Sequence, residues 1–531
     1  MTTTASENGI PAWDSADLPE PQPLRWSQWA SFIGPGIVMM GIQIGGGEWL
    51  LGPEITVRYG GGLMWVATIA IILQVFYNIE CGRYALYCGE PILTGFMRMP
   101  PGPRLWMGLM LFLNGSAIIP GLSTHGAAIL TALWLGRPPT AEDNWLVTLL
   151  AFVCLIGVAI PILIGGKVYN MLQSVMTVKV IIVLGFCLTV GVCFVSPSQW
   201  YSIFSGFVKF GNVPVSDGNQ GEKVVNAFAY YREHGTWPTI ALANIAVLGA
   251  FAGYAGGGGV SNSTYSNFVR DKGWGMGSHV GAIGSALGGT NVTLSHVGTC
   301  FPVTAENMRR WRGWWRYILT DQVLVWAPGC FMGMALPALM SIRFAPFSTL
   351  DKRGIDWAQA IVTADGMRLA PELGTIVPQI LWFFALIAGL AVMLPSQMSI
   401  VDDFSRRWTD AIWTGSKTVR ETYKPNQVRW IYYAIVGGYV LWSLICATLF
   451  TFYGSPKLMT IIIANLNNVA LGITAIQLLW INVTLLPREI RPRWYSILGL
   501  AGCAFFYLGL SILVFLEKQL PAILSLFSAK T

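Results

Sequence analysis

The chain has 531 residues, 54% of them hydrophobic and only 11% charged, with a formal net charge of +7. Soluble domains carry about 25% charged residues, so most of this chain belongs where charge is costly, in lipid. Its Lys and Arg are spread through short connecting stretches and form no dense tract, which argues against nucleic acid as a partner and assigns the positive charge to membrane topology.

Residues 1–26 are polar, proline-containing and mildly acidic (Glu7, Asp14, Asp17, Glu20). They lack the basic start and apolar core of a signal peptide and read as a soluble cytoplasmic tail. A hydrocarbon core about 30 Å thick needs roughly 20 apolar residues in a helix. Eleven segments meet that length: 27–51, 61–87, 105–135, 144–166, 171–195, 237–268, 316–342, 375–400, 429–453, 457–483 and 494–516. They make residues 27–516 one transmembrane domain and leave 517–531 as a short tail.

Placing the N-terminus inside puts Arg98, Arg104, Lys167, Arg270, Lys272, Arg309, Arg310, Arg406, Arg407, Lys424, Arg488 and Arg491 in inner loops, as the positive-inside rule demands. Two long outer loops near 196–236 and 343–374 carry fewer. Eleven spans then put the C-terminus outside a cell membrane. The nine cysteines fall mostly singly within apolar runs, without the paired spacing of zinc sites, and read as small buried hydrophobes.

The first span contains Gly34-Pro35-Gly36 and then Gly45-Gly46-Gly47-Glu48. The sixth contains Gly249 and Gly253 and then Gly256-Gly257-Gly258-Gly259-Val260-Ser261-Asn262. Each glycine weakens a helix by about 1 kcal/mol relative to alanine, so both spans are predicted to break there and turn their peptide groups toward a cavity. Glycine-interrupted segments at matching places in two halves, 27–195 and 237–483, point to a 5+5 inverted-repeat transporter with an eleventh helix, an all-α polytopic fold of the LeuT-like kind. Close helix packing is the plainer account of the glycines, but it favours every fourth residue over an unbroken run.

Glu48 is the acidic group at the first break, with Gln43 nearby, and Ser261 and Asn262 belong to the second. With the backbone of Gly45, Gly46, Gly47, Gly257, Gly258 and Gly259, these side chains can surround a hard, partly hydrated cation. The amides freed at the same breaks suit an anion such as an organic carboxylate equally well. Glu48 reads as a cation ligand or proton acceptor, or as a cap on the restarted half-helix.

Lys179 stands in an apolar stretch of the fifth span, either as a resident or titrating cation, of the kind that relatives of this broad fold can use in the fifth helix, or as a lysine snorkelling to the interface. His125 is a proton-relay candidate against the commoner hydrogen-bonded core histidine. Gln397 and Asn468 supply amide oxygens near midplane, for substrate or for interhelical hydrogen bonds. Glu80 and Arg83 share a helical face and are expected to neutralise each other. The glycine-rich stretch 273–289 lacks the Gly-Lys-Ser/Thr ending of a phosphate loop, so no nucleotide is expected.

In these residues the chain resembles the Nramp (natural resistance-associated macrophage protein) family of proton-coupled divalent metal ion transporters, over about residues 30–515. The resemblance rests on Gly34-Pro35-Gly36, Gly82-Arg83, Cys88-Gly89-Glu90, Ala117-Ile118-Ile119, Ser266-Asn267-Phe268-Val269-Arg270 and Pro395-Ser396-Gln397-Met398-Ser399, taken in order. Where the family has Asp-Pro-Gly-Asn, this chain reads Gly45-Gly46-Gly47-Glu48, and where it has Met-Pro-His, Gly258-Gly259-Val260. The family's acidic proton-pathway positions fall on Leu122 and His125. The familiar chelate is therefore replaced, with Glu48 as its one carboxylate.

The resemblance implies alternating-access transport of a divalent cation with proton coupling and no cofactor, drawing on Glu48, His125 and Lys179 for coupling. Uptake of an amino or organic acid coupled to H⁺ or Na⁺ is the alternative within transport. A sensor or enzyme that kept the fold is the alternative outside it, disfavoured by only four scattered histidines and no clustered nucleophile-base pair.

Overall fold

The computed structural model describes residues 9–23, 34–118, 121–216, 222–350, 358–453, 456–521 and 524–525. The ends of both tails and the lead into the first span, 24–33, lie outside the described residues.

The first span is α1 (Pro35–Gln43), a wide π-turn (Gly47–Leu51) and α2 (Gly52–Tyr59). The second, α3 (Trp65–Cys88), ends on Gly89, whose left-handed φ of 66° returns its N–H to Ala85, a conformation glycine adopts freely. A short α4 (Ile92–Arg98) leads to the third span, α5 (Pro103–Leu113) and α6 (Gly121–Leu135). The fourth and fifth are α7 (Asn144–Ala159) and α8 (Val168–Phe194). Beyond them come α9 (Pro197–Gly206), a hairpin of two strands, Asn212–Ser216 and Glu222–Asn226, and α10 (Ala227–His234).

The sixth span is α11 (Ile245–Tyr254), an irregular stretch, and α12 (Thr264–Lys272). The seventh is α13 (Ala305–Thr320), a π-turn (Asp321–Trp326) and α14 (Ala327–Phe344). After α15 (Ala358–Leu369), the eighth to eleventh spans are α16 (Val377–Gly415), α17 (Val428–Tyr453), α18 (Pro456–Leu485) and α19 (Trp494–Val514).

Both π-turns close just before a proline, Pro53 and Pro328. Proline has no N–H to return and crowds the preceding turn, so the helix widens there. Among the described residues eight helices are long and apolar enough to cross a membrane; the broken first and sixth spans and the interrupted third supply the remaining three. Phe505 and Trp134 are 82% and 80% exposed on the outer surface, as side chains facing lipid must be in an integral membrane protein.

The sixth span starts at Ile245, later than expected, because 237–244 forms connecting turns. The eighth runs on to Gly415, well past the bilayer-length segment read from hydropathy. In packing, α1 lies against α8 and the π-turn of the seventh span, α12 against α3, and α11 against α18.

The N-terminal stretch is not a free tail. Residues 9–23 form an extended strap on one end of the molecule, where Asp14–Ser15 pairs in parallel with Thr299–Cys300. Trp13 Nε1 donates to Glu90 Oε2 (2.9 Å), Trp314 Nε1 to the Pro19 carbonyl (2.8 Å) and the Tyr317 hydroxyl to the Gln22 carbonyl (2.8 Å). Within the strap, Ile10 and Leu18 are buried. Although burial alone would raise the Glu90 carboxyl, the adjoining Arg98 guanidinium holds it below the ordinary carboxylate range. The strap end also carries α12 and the start of α1; the hairpin lies at the opposite end, where Tyr59 meets Glu222.

Candidate functional site

The first span breaks at Ile44–Gly45, slightly before the expected triplet, and Gly46 and Gly47 already belong to the restarted helix. Glycine is needed at 47, because a Cβ there would lie 2.6 Å from the Tyr254 carbonyl oxygen. The two broken spans thus cross backbone against backbone. In the sixth span the helix stops at Tyr254, and Gly256, Gly258 and Gly259 take φ of 96°, 69° and 64° before a short tight turn, Gly259–Ser263, leads into α12. Only glycine adopts such a series without strain.

One side chain of the second span fixes that irregular stretch. Fully buried Gln74 accepts through Oε1 from the N–H groups of Gly257 (2.8 Å) and Gly258 (3.3 Å) and from Asn262 Nδ2 (2.9 Å). Its Nε2 donates to the Ala255 carbonyl (2.7 Å) and to the Tyr507 hydroxyl (2.6 Å) of the eleventh span. Peptide groups released from the helix are thereby paired inside the bundle, as a water-free interior requires.

Around the crossing stand Glu48, Gln43, Asn262 and Lys179, all buried. Glu48 Oε2 accepts from the Gly45 N–H at 3.1 Å, reaching back as the third residue of a capping box does. Its Oε1 has no hydrogen-bond partner among the described residues, and the Gly256 backbone of the sixth span also faces the carboxylate. Gln43 Oε1 accepts from Trp326 and Cys330, while Gln43 Nε2 and Asn262 Oδ1 have no hydrogen-bond partner among the described residues and lie on either side of Gly257, whose Cβ would collide with both.

Lys179 does not snorkel. Its ammonium crosses to Ser396 Oγ of the eighth span at 2.5 Å, and that same oxygen would lie 3.0 Å from a Cβ on Gly45. One carboxylate, one ammonium and two amide groups with spare capacity are therefore gathered where the spans cross.

Other expected residues lie elsewhere. Asn468 Nδ2 donates to the Gly249 carbonyl (2.8 Å) and Asn465 Nδ2 to that of Ala246 (2.9 Å), so they bind α18 to α11. Gln397 Oε1 accepts from the Ser123 N–H (3.2 Å) and joins the eighth span to the third. His125 meets Thr460 at 3.3 Å in the interior. Ser261 sits just past the break and donates to Asp403 Oδ2 at 2.9 Å. Glu80 and Arg83 pair as expected, at 2.8 Å.

Sequence reasoning missed a buried chain of alternating charges at the strap end. Asp410 meets Arg270 (2.6 Å), Arg270 meets Asp271 (2.8 Å), Asp271 meets Arg406, and Arg406 meets Asp402 (2.9 Å). Asp403 pairs with Arg407 and also accepts from Thr264. The chain ties α12 to α16, and a cavity of only about 20 Å³ lined by Met97, Met107, Met110, Asn114, Val260 and Arg407 lies beside it. The i, i+4 spacing of Asp402 with Arg406 and Asp403 with Arg407 was the available signal.

Two five-helix halves, discontinuous first and sixth spans crossing at buried polar groups, and an appended eleventh span define a polytopic membrane protein of the LeuT-like inverted-repeat transporter fold. Among solved structures the chain is similar to the manganese transporter of Eremococcus coleocola in complex with an aromatic bis-isothiourea substituted compound. The TM-score is 0.61 and the identity 12%, over 94% of this chain and 91% of that one. Two variants of that transporter superpose with TM-scores of 0.60 and 0.59 at the same identity and coverage. The likeness is one of fold, the fold that the Nramp resemblance implies. No protein-family model matches the sequence, and no curated protein is similar to it in sequence.

Proposed function

We propose that the protein is a secondary transporter that carries a divalent metal cation through the membrane by alternating access, with the strap end in the cytoplasm of a cell. Protons are the coupling ion of this reading. The single observation that carries it is the Glu48 carboxylate, whose Oε1, without a partner among the described residues, stands at the crossing of two interrupted spans, with the Asn262 amide oxygen at the break of the other span. One carboxylate with amide and backbone oxygens suits a hard cation that keeps part of its water. The fold shared with a transporter named for manganese supports the same substrate class.

Lys179 is the nearby opposite charge to Glu48. A cation arriving at Glu48 takes over as its counter-charge, so loss of a proton from Lys179 is a direct way to link substrate and proton movement. Isothermal titration of the purified protein with Mn²⁺, Mg²⁺ and Co²⁺, with flux in proteoliposomes, tests this. Heat and flux that vanish in Glu48→Ala are expected; metal binding that survives Glu48→Ala refutes the assignment.

A second reading is favoured by the same residues. Lys179 and Gln43 Nε2 are donors beside an acceptor pair, Glu48 and Asn262, a set that matches the two ends of a small zwitterion. Flux of amino acids that is indifferent to all three metals would select it.

A further inference from the structure

The opening motif of the first span, Gly34-Pro35-Gly36, has a partner that hydropathy conceals. Asp321 begins the π-turn of the seventh span and is 1% exposed. Its Oδ1 accepts from the Gly36 N–H at 2.9 Å, at the start of α1, and the Gly34 backbone faces the same carboxylate. Its Oδ2 accepts from the Tyr265 hydroxyl of α12 at 2.8 Å and from Gln322 Nε2 at 3.1 Å. Gln322 is held in turn by Asn78 of the second span at 2.9 Å. A Cβ at position 36 would lie 2.6 Å from Asp321 Oδ1, so the glycine admits the carboxylate to the helix end.

We propose that Asp321 is the positioning residue that makes the strap-end halves of the two broken spans, α1 and α12, move as one body. The inference rests on the alternating-access reading for its consequence, but the geometry stands without it. Orphan N–H groups at a helix start need an acceptor in a dry interior, and a negative charge there is favoured by the helix dipole. Here that acceptor is shared with the other broken span. Each half-helix is thus tied to the other through one side chain, on a widened turn that lets the carboxylate face both.

Hydrogen exchange on the full-length protein in nanodiscs tests the bridge. In Asp321→Ala, which removes both contacts, exchange of segments 34–43 and 264–272 is expected to be about tenfold or more faster, with segment 428–514 little changed. Asp321→Asn keeps an oxygen for Gly36 and an N–H for Tyr265 and should restore slow exchange. Tyr265→Phe, which removes one hydroxyl and no charge, should speed 264–272 while leaving 34–43 protected, and it serves if the Ala variant does not fold.

Mn²⁺ flux in proteoliposomes is expected to fall in kcat in Asp321→Ala while KM moves less than about twofold, since the Glu48 site is untouched. Unchanged exchange of 34–43 in Asp321→Ala, identical behaviour of Ala and Asn, or unchanged exchange of 264–272 in Tyr265→Phe overturns the proposal. Absence of Mn²⁺ flux in the unmodified protein, with these exchange patterns present, counts against the transport reading and not against the bridge.

Discussion

Gly46 and Gly47 are neighbours in sequence, and the structure assigns them opposite tolerance. A methyl group on Gly47 would press on the backbone carbonyl of Tyr254 at 2.6 Å, and neither main chain can step aside without moving a half-helix. A methyl group on Gly46 would meet a Leu122 methyl at 3.1 Å and a Leu50 methyl at 3.9 Å, both far ends of side chains that can turn. Overpacking a rigid contact costs about 1–3 kcal/mol, which is roughly a 5- to 150-fold change in an equilibrium. Gly47→Ala should therefore depopulate the crossed arrangement by about that factor and slow turnover accordingly, whereas Gly46→Ala should stay within about threefold of the unmodified protein. Parallel measurement of membrane insertion, melting temperature and initial flux in proteoliposomes separates the two. Equal flux in both variants would refute the claim that the spans cross backbone to backbone at 47.

Three further outcomes are expected. Gln74→Leu leaves the donors of Gly257, Gly258 and Asn262 unpaired, at about 1–3 kcal/mol for each buried group; it should abolish flux and lower the melting temperature while Gln43→Leu, judged on stability alone, does so far less. Arg406→Met removes the cation between Asp271 and Asp402, a loss of about 3–5 kcal/mol for a broken buried pair, and should expose the strap end to proteolysis at α12; unchanged cleavage would mean the chain does not hold α12 to α16. Because the folded Glu90 carboxyl titrates below its ordinary 4.5, its contribution to strap docking is present at neutral pH and is lost as pH falls through that lowered value. Fluorescence of Trp13, read against a Trp13→Phe control, should shift in acid, and Glu90→Gln should shift it already at pH 7.

The eleven spans were legible because lipid imposes length and apolarity on every crossing segment, and the two breaks because runs of glycine weaken a helix where they fall. Glu48 and Lys179 stood out as charges in apolar surroundings, and both sit at the crossing. The first span turns at Ile44–Gly45, and the widened turn at Gly47–Leu51 ahead of Pro53 belongs to the helix that restarts, a division the glycine run alone does not reveal. Gln74 and Asp321 were invisible because a single polar residue in a span carries no local signature of its partner, and their partners lie far away in sequence. The amides of Asn468 and Gln397 bind the Gly249 carbonyl and the Ser123 N–H, because a polar residue's position along a span does not say which way its side chain faces. The N-terminal strap was misread because its composition is polar, yet its backbone is paired by Arg, Trp and Tyr side chains, and Ile10, Trp13 and Leu18 were the pegs that periodicity rules overlook in so short a stretch.

The strap also sets what Gly9 lies against. Arg420, in the connection after the eighth span, donates to the Gly9 carbonyl at 2.8 Å, so this end of the strap is held by a connection 411 positions later in sequence. A fluorophore attached at position 9 would report on its surroundings near Arg420, and a bulky one would crowd the connection to the ninth span.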